Sequence, residues 1–236
     1  MVKGEHDFIN YFKTPEPGEY MPVEGKYDMP KLKGIRLKHP EKPLKIVGFN
    51  EAYKIPVKQR KNYIVEFFLA DYLFERVWSR LEVTTEFLKQ FKMVMSPDFS
   101  QYLDMPKAML VWQQYRRMFV SWYWQRHGIV VLPVTSWSDE WTYHYTWDGF
   151  PHNSCVVVSS VCCWQDDCEA EKKNLSSDVV TKSLFRQGTE KMIEVLTPTQ
   201  IIWYGKIPDW AKRLTKQKEI ELIHVKPHYC ERFHHD

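Results

Sequence analysis

From residue 63 onward, short runs of β-branched and aromatic residues alternate with stretches of helical periodicity. Runs of this composition and length are typical of buried strands. Six of them are recognisable, at 64–68, 93–95, 129–132, 156–158, 201–204 and 220–223. Strands that alternate with helices imply parallel crossover connections. The sequence therefore predicts an α/β fold with a mostly parallel sheet of about six strands, and it leaves open whether that sheet closes into a barrel-like wrap.

Helical periodicity fills most of the segments between these runs. Apolar residues recur at three- and four-residue spacing over 74–91, over 183–196 and, more briefly, over 211–218. The clearest helix is predicted after Asp104, which is placed to cap it, with Pro106 in its first turn and Gly128 at its end. Large apolar residues on one face of this helix predict a core-facing stripe, formed by Met109, Trp112, Tyr115, Phe119, Trp122 and Tyr123.

The first 62 residues have a different composition, because prolines repeatedly interrupt any helical pattern. We predict an extended, Pro- and Lys-rich arm over 1–62 that packs on a single α/β domain formed by 63–236. The arm has thirteen lysines and arginines against eight acidic residues, whereas the net charge of the whole chain is only +3. A solvated, irregular arm is the favoured interpretation, and binding of nucleic acid by the arm is the alternative.

The sequence argues against several classes of protein. Apolar runs are too short to span a bilayer and the first residues lack the apolar core of a signal peptide, so we expect a cytoplasmic protein with no membrane partner. The five cysteines are an odd number and favour free thiols, although Cys162, Cys163, Cys168 and Cys230 leave a zinc site open. A glycine-rich phosphate loop is missing, so there is no signature of a nucleotide cofactor.

Carboxylates follow three of the predicted strands, as Asp71, Asp98 and Asp139. Ligands of parallel α/β proteins bind at the carboxyl ends of the strands. Carboxylates that converge there suit acid–base chemistry or coordination of a divalent metal, but they are also common helix caps. We predict the three aspartates as catalytic candidates. The candidates for substrate binding are their polar and aromatic neighbours at strand ends, Glu75, Ser100, Tyr102, Trp137 and Tyr204.

Three segments also resemble a known family: 68–78 (FLADYLFERVW), 96–106 (SPDFSQYLDMP) and 147–151 (WDGFP). They are similar to the domain of unknown function 4417, which occurs in bacteria, phages and plasmids. The resemblance runs from about residue 45 to Phe233. It implies a phage or mobile-element setting but no activity, and the first two of these segments contain the strand-end aspartates Asp71 and Asp98.

Two functional hypotheses remain open at this point. The first is an enzyme, a hydrolase or transferase acting on a phosphorylated, nucleotide or sugar substrate, with a divalent metal as a possible cofactor. The second is a non-catalytic binding protein that engages a phage or host protein or nucleic acid. Geometry discriminates between them, because convergence of the aspartates in one site favours the enzyme, whereas separate capping of helices favours the binding protein.

Overall fold

Parallel strands follow one another along the chain in the computed structural model, which describes residues 20–38, 44–161, 163 and 175–227. A small antiparallel hairpin, β1 (Val23–Glu24) and β2 (Met29–Pro30), precedes them. The parallel strands are β3 (Ile46–Gly48), β4 (Ile64–Glu66), β5 (Met93–Met95), β6 (Val131–Leu132), β7 (Cys155–Ser159), β8 (Gln200–Tyr204) and β9 (Glu221–Val225). The predicted α/β class and parallel pairing are therefore confirmed.

The order of these strands in space follows their order in the sequence. Strands β3, β4, β5 and β6 form one parallel sheet, and β7, β8 and β9 form a second. A parallel bridge between Val134 and Val157 links β7 to the end of β6. Strand β3 lies inside the predicted arm and was not expected, because the prolines around it assigned this segment to an irregular arm. The division into an arm and a domain remains a prediction, and β3 would place the boundary before Ile46.

Both faces of β3 to β8 are largely buried, but against different partners, whereas Glu221 and His224 of β9 are exposed. One hydrophobic cluster takes the side chains that meet the helices, such as Val65 and Trp203. The other cluster contains at least one side chain from every parallel strand, namely Ile46, Ile64, Met95, Leu132, Cys155, Val157, Ile202, Tyr204, Ile223 and Val225. Side chains two residues apart share a face of a strand. Glu66 therefore points to the same side as Ile64, into the cluster shared by all of these strands.

The helices are α1 (Arg76–Ser79), α2 (Leu81–Leu88), α3 (Lys107–Arg126), α4 (Leu175–Leu196) and α5 (Asp209–Gln217). The helix predicted over 74–91 is divided at Arg80, where φ of −132° and ψ of 53° leave the helical region. Short 3₁₀ helices occupy Ala52–Lys54, Val57–Asn62, Asp71–Leu73 and Glu140–His144. Within the described residues, no helix combines the length and the apolar character needed to cross a bilayer.

The capping prediction for α3 was wrong. Helix α3 begins at Lys107 after Pro106, and no side chain caps it. Pro106 itself occupies the N-cap position, with a φ of −53° and a ψ of 139°, so Asp104 lies two residues before the cap. The predicted end is confirmed, because Gly128 has a φ of +81° and its N–H donates to the Gln125 carbonyl at 3.2 Å.

The face that α3 buries is more polar than the sequence predicted. Phe119 and Trp122 are buried as expected, whereas Met109 and Trp112 keep 47% and 46% of their surface exposed. Glutamine and arginine side chains take the interior position instead, at Gln113, Gln114, Arg116 and Arg117. Buried polar groups need hydrogen-bond partners. These four find them in the loops at the ends of β4, β5 and β6, which is where the candidate site lies.

Candidate acid–base site

Glu66 is the last residue of β4, and its side chain is almost fully buried. Its carboxylate accepts hydrogen bonds from the backbone N–H of Phe68 and from the Tyr204 hydroxyl at the end of β8. Gly48 leaves room for it, since a Cβ at that position would lie 3.1 Å from a Glu66 carboxylate oxygen. Burial is the main cause that raises the pKa of Glu66 to about 7, and the nearby Asp98 adds to the rise.

Asp98, which follows β5, pairs with an arginine that has no exposed surface. The Arg117 guanidinium lies 2.9 Å from an Asp98 carboxylate oxygen, and 24% of the Asp98 side chain remains exposed. The same guanidinium donates to the backbone carbonyls of Pro97 and Phe99 at 3.1 and 3.0 Å and to Gln114 at 2.9 Å. Arg117 therefore fixes the loop after β5 as well as the carboxylate.

Two opposing influences act on the protonation of Asp98. Burial raises its pKa above the ordinary value, whereas the positive charge of Arg117 and a hydrogen bond with Ser136 lower it. The negative charge of Asp71 raises it again, though by less. Glu66, Asp98 and Asp71 thus form a chain of interacting carboxyl groups, in which Asp98 is the middle member.

Asp71 faces this chain from the loop after β4. Its carboxylate accepts hydrogen bonds from the Ser100 hydroxyl at 2.8 Å, from the Ser100 backbone N–H at 3.2 Å and from the Gln113 amide at 3.2 Å. Ser100 also reaches the Tyr102 hydroxyl at 3.1 Å. Asp71 begins a 3₁₀ helix, but no side chain caps that helix. The structure therefore brings Asp71, Ser100 and Tyr102 together, and their predicted roles in catalysis and substrate binding remain predictions.

Glu75 lies at the outer edge of the same network. It forms an ion pair with Arg116, whose guanidinium also donates to Gln113 at 3.0 Å and stacks 3.9 Å above the centre of the Phe99 ring. Gln113 in turn donates to Asp71. Glu75 thus reaches Asp71 through two intervening side chains.

Asp139 and Trp137 are placed differently from the other candidates. Asp139 caps the 3₁₀ helix Glu140–His144, and its carboxylate accepts the backbone N–H of Trp141 at 3.1 Å. The Trp137 indole donates to the Leu184 carbonyl at 3.1 Å and stacks on Phe185 of α4, with ring centres 5.9 Å apart. These contacts give both residues a structural role. Their predicted roles in the site remain predictions.

The structure adds site members that the sequence reasoning missed: Glu66, Arg117 and Ser136. Glu66 is the only charged residue in an otherwise apolar predicted strand, and that exception was a usable signal. Arg117 belongs to polar residues at helical spacing within the aromatic helix, together with Gln113, Gln114 and Ser121. A polar stripe beside an aromatic stripe indicates a helix that is buried on two sides.

The metal hypothesis can be compared with this geometry. Within the described residues, no group of three or more His, Cys, Asp or Glu side chains is arranged to hold a metal ion. The carboxyl groups of Asp71 and Asp98 are each occupied by hydrogen-bond donors from the protein. Cys155 is a free, buried thiol, whereas Cys162, Cys168 and Cys230 of the zinc hypothesis lie outside the described residues.

Sequence comparisons place the chain among phage-related proteins. It is 34% identical over 143 residues to the Gene 1 protein of Mycobacterium phage L5, a match that covers 61% of this chain and 57% of that protein. The identity to the Gene 1 protein of Mycobacterium phage D29 is also 34% over 143 residues, covering 61% of this chain and 48% of that one. The chain thus spans about half the length of the curated relatives it matches. No solved structure matches it.

The family model named "Domain of unknown function (DUF4417)" matches residues 21–224. The match begins earlier than the resemblance predicted from the sequence, so it includes most of the described part of the predicted arm, together with strand β3. It also contains Glu66, Asp98, Asp71 and Arg117. The chain belongs to the DUF4417 family, as the sequence motifs had indicated.

Proposed function

We propose that this protein is an enzyme, a hydrolase or transferase in which Glu66 and Asp98 form an acid–base pair. The observation that carries the proposal is that two unlike carboxyl groups interact at the ends of adjacent parallel strands. Glu66 is buried among neutral donors, whereas Asp98 is partly exposed and paired with Arg117. Burial raises the pKa of both groups, and neighbouring carboxyl groups with perturbed pKa values and different surroundings are typical of acid–base sites.

The roles in this proposal follow from the contacts of each residue. Glu66, with a pKa of about 7, can donate or accept a proton at neutral pH. Asp98 is the more accessible of the two and is the group that would contact substrate. Asp71 and Ser100 would orient the substrate beside it, and Tyr102, which is 60% exposed, would cover it. The substrate class that fits is a phosphorylated, nucleotide or sugar compound.

The arrangement of the strands supports one site in preference to several. Glu66 on β4 contacts Tyr204 on β8, and the Phe68 and Tyr204 rings lie 4.6 Å apart, although three other strands separate β4 from β8 in the pairing order. One hydrophobic cluster is shared by all the parallel strands. Both features are expected if the strands curl into a barrel-like wrap, which is part of this proposal. In such folds the active site lies at the carboxyl ends of the strands.

A substrate panel tests the proposal. Purified protein would be assayed over a range of pH against p-nitrophenyl phosphates, phosphodiesters and glycosides, with and without Mg²⁺ or Mn²⁺. The same assays would be run on Glu66→Gln and Asp98→Asn, with Glu82→Gln as the matched control, since Glu82 is an exposed residue of α2. We expect activity that falls at least about 100-fold in the two site variants and is unchanged in the control. Activity that survives both site substitutions would refute the acid–base pair.

A binding protein is the alternative function, and one observation favours it. Tyr72 and Tyr102, in the loops after β4 and β5, are 80% and 60% exposed, and Leu103 is 52% exposed. Exposed aromatic side chains are common at interfaces with proteins and with nucleic acids. If the panel shows no turnover, the alternative predicts that Tyr72→Ser and Tyr102→Ser abolish capture of a phage or host protein, while Glu66→Gln does not.

A further inference from the structure

A second polar feature lies beside the ends of β8 and β9. It is a cleft of about 650 Å³ between the start of α5, the loop after β8 and the middle of α4. The polar and aromatic residues that line it are Arg186, Lys206, Trp210, Lys212, Arg213 and His224. We name this feature the cationic cleft. Its residues played no part in the predictions from sequence, because they are spread over three segments of the chain.

The cationic cleft has an excess of positive charge. Four lysines and arginines line it, and Asp209 is the acidic residue among its lining side chains. Lys212 forms an ion pair with Asp209 and Arg186 forms one with Glu190 of the same helix, each at 2.9 Å, so the excess of charge comes from Lys206 and Arg213. The pKa of Asp209 reflects this positive charge. It lies below the ordinary value although the carboxyl group is fully exposed to solvent. The main cause is its hydrogen bond with Lys212, and the charges of Lys212, Arg213 and Lys206 also contribute. A negative group in this cleft is therefore stabilised.

The cleft also has a floor that is not polar. Ile207 and Pro208 line it, and the Trp210 ring lies 5.6 Å below the Arg186 guanidinium. A volume of several hundred cubic ångströms, an aromatic surface and a few convergent charges are the usual features of small-molecule sites. A nucleic-acid groove would instead need a longer track of cations. The dimensions favour a small anion attached to an organic group.

We propose that the cationic cleft binds the phosphate or diphosphate group of a small organic ligand. Lys206 and Arg213 would contact the phosphate oxygens from two sides, and Arg186, held over Trp210, would close the third. Arginine and lysine are the side chains that recognise phosphate most often, arginine through paired hydrogen bonds and lysine as a point charge. The site is independent of Glu66 and Asp98, so it stands or falls separately from the proposed catalysis.

Calorimetric titration with inorganic pyrophosphate tests the proposal, at constant ionic strength set with sodium chloride. The test variant is Lys206→Gln with Arg213→Gln. The control is Lys216→Gln with Lys218→Gln, which removes the same charge from exposed positions on and just after α5, outside the cleft. We expect saturable binding by wild type and by the control, and at least about tenfold weaker binding by the test variant.

Three results would overturn the proposal. The first is that pyrophosphate gives no more heat of binding than a titration with sodium chloride does. The second is that pyrophosphate binding is weakened equally in the test variant and in the control, which would show a diffuse effect of charge. The third concerns a different ligand: a single-stranded oligodeoxynucleotide that binds more tightly than pyrophosphate, with a steep salt dependence, would assign the cations to nucleic acid. Circular dichroism melting of both variants would verify that each remains folded.

Discussion

The two polar regions of this protein use charge in opposite ways. In the acid–base site, charges are buried: Arg117 has no exposed surface, and the pKa of Glu66 rises to about 7. In the cationic cleft, charges are exposed, and the pKa of Asp209 is lowered mainly by its hydrogen bond with Lys212 and by the charges of its positive neighbours. Burial penalises the charged form of a group, whereas exposed charges are screened by water and salt. Substitution of a charged residue in the proposed acid–base site should therefore change the stability of the fold. The same kind of substitution in the cationic cleft should change it little.

The largest expected effect is the loss of Arg117. Its replacement by methionine removes the positive partner of Asp98 and leaves the carbonyls of Pro97 and Phe99 without a donor. We expect a loss of about 3 kcal/mol in the free energy of unfolding, measured by urea denaturation. Arg213→Met in the cleft is the matched substitution and should change stability by less than about 0.5 kcal/mol. Similar losses in the two variants would remove the distinction between the regions.

The next effect concerns pH. The pKa of Glu66 is higher in the folded state than the ordinary value of 4.5, so the folded state binds the proton more tightly between about pH 4.5 and 7. Its contribution to stability is therefore present at low pH and is lost as the pH rises through this window. Glu66→Gln should remove that loss and make the protein up to about 3 kcal/mol more stable than wild type at pH 8.

The measurement is urea denaturation of wild type and Glu66→Gln at intervals between pH 5 and 8. Glu82→Gln is the control, because Glu82 lies on the exposed side of α2. The two stability profiles should converge at pH 5 and separate as the pH rises. Parallel profiles over this range would mean that Glu66 is not held in an environment that disfavours its charge.

How far the sequence could predict this fold depends on what surrounds each element. The hydrophobic runs at β5, β7, β8 and β9 lie between helical patterns and predicted their strands, whereas β3, which is no shorter than β5, lies among prolines that indicated an irregular arm. The aspartates were recognised because they follow strands. Glu66 and Arg117 were missed because they sit inside elements assigned to the core, where charged residues are rare unless paired. Their partners come from β8 and from the loops after β5 and β6, which no local pattern reveals.

A smaller expected change in stability distinguishes a residue that caps a helix from a residue of the proposed site. Asp139 accepts the backbone N–H of Trp141, so Asp139→Ala should cost about 1 kcal/mol. Asparagine caps helices as well as aspartate does, so Asp139→Asn should keep both stability and any activity of the wild type. If Asp98 contacts substrate as proposed, Asp98→Asn should abolish the activity. Loss of activity in Asp139→Asn with unchanged stability would return Asp139 to the acid–base site.

The central claim is that Glu66 is a buried carboxyl group poised to exchange a proton near neutral pH. Its most direct test is a ¹³C NMR titration of the side-chain carboxyl carbons of glutamate, with Glu66→Gln used to assign the signal. The account predicts one glutamate signal that titrates near pH 7 and is missing from the variant spectrum. If every glutamate, including the one assigned to Glu66, titrates in the ordinary range near pH 4 to 5, the account is contradicted.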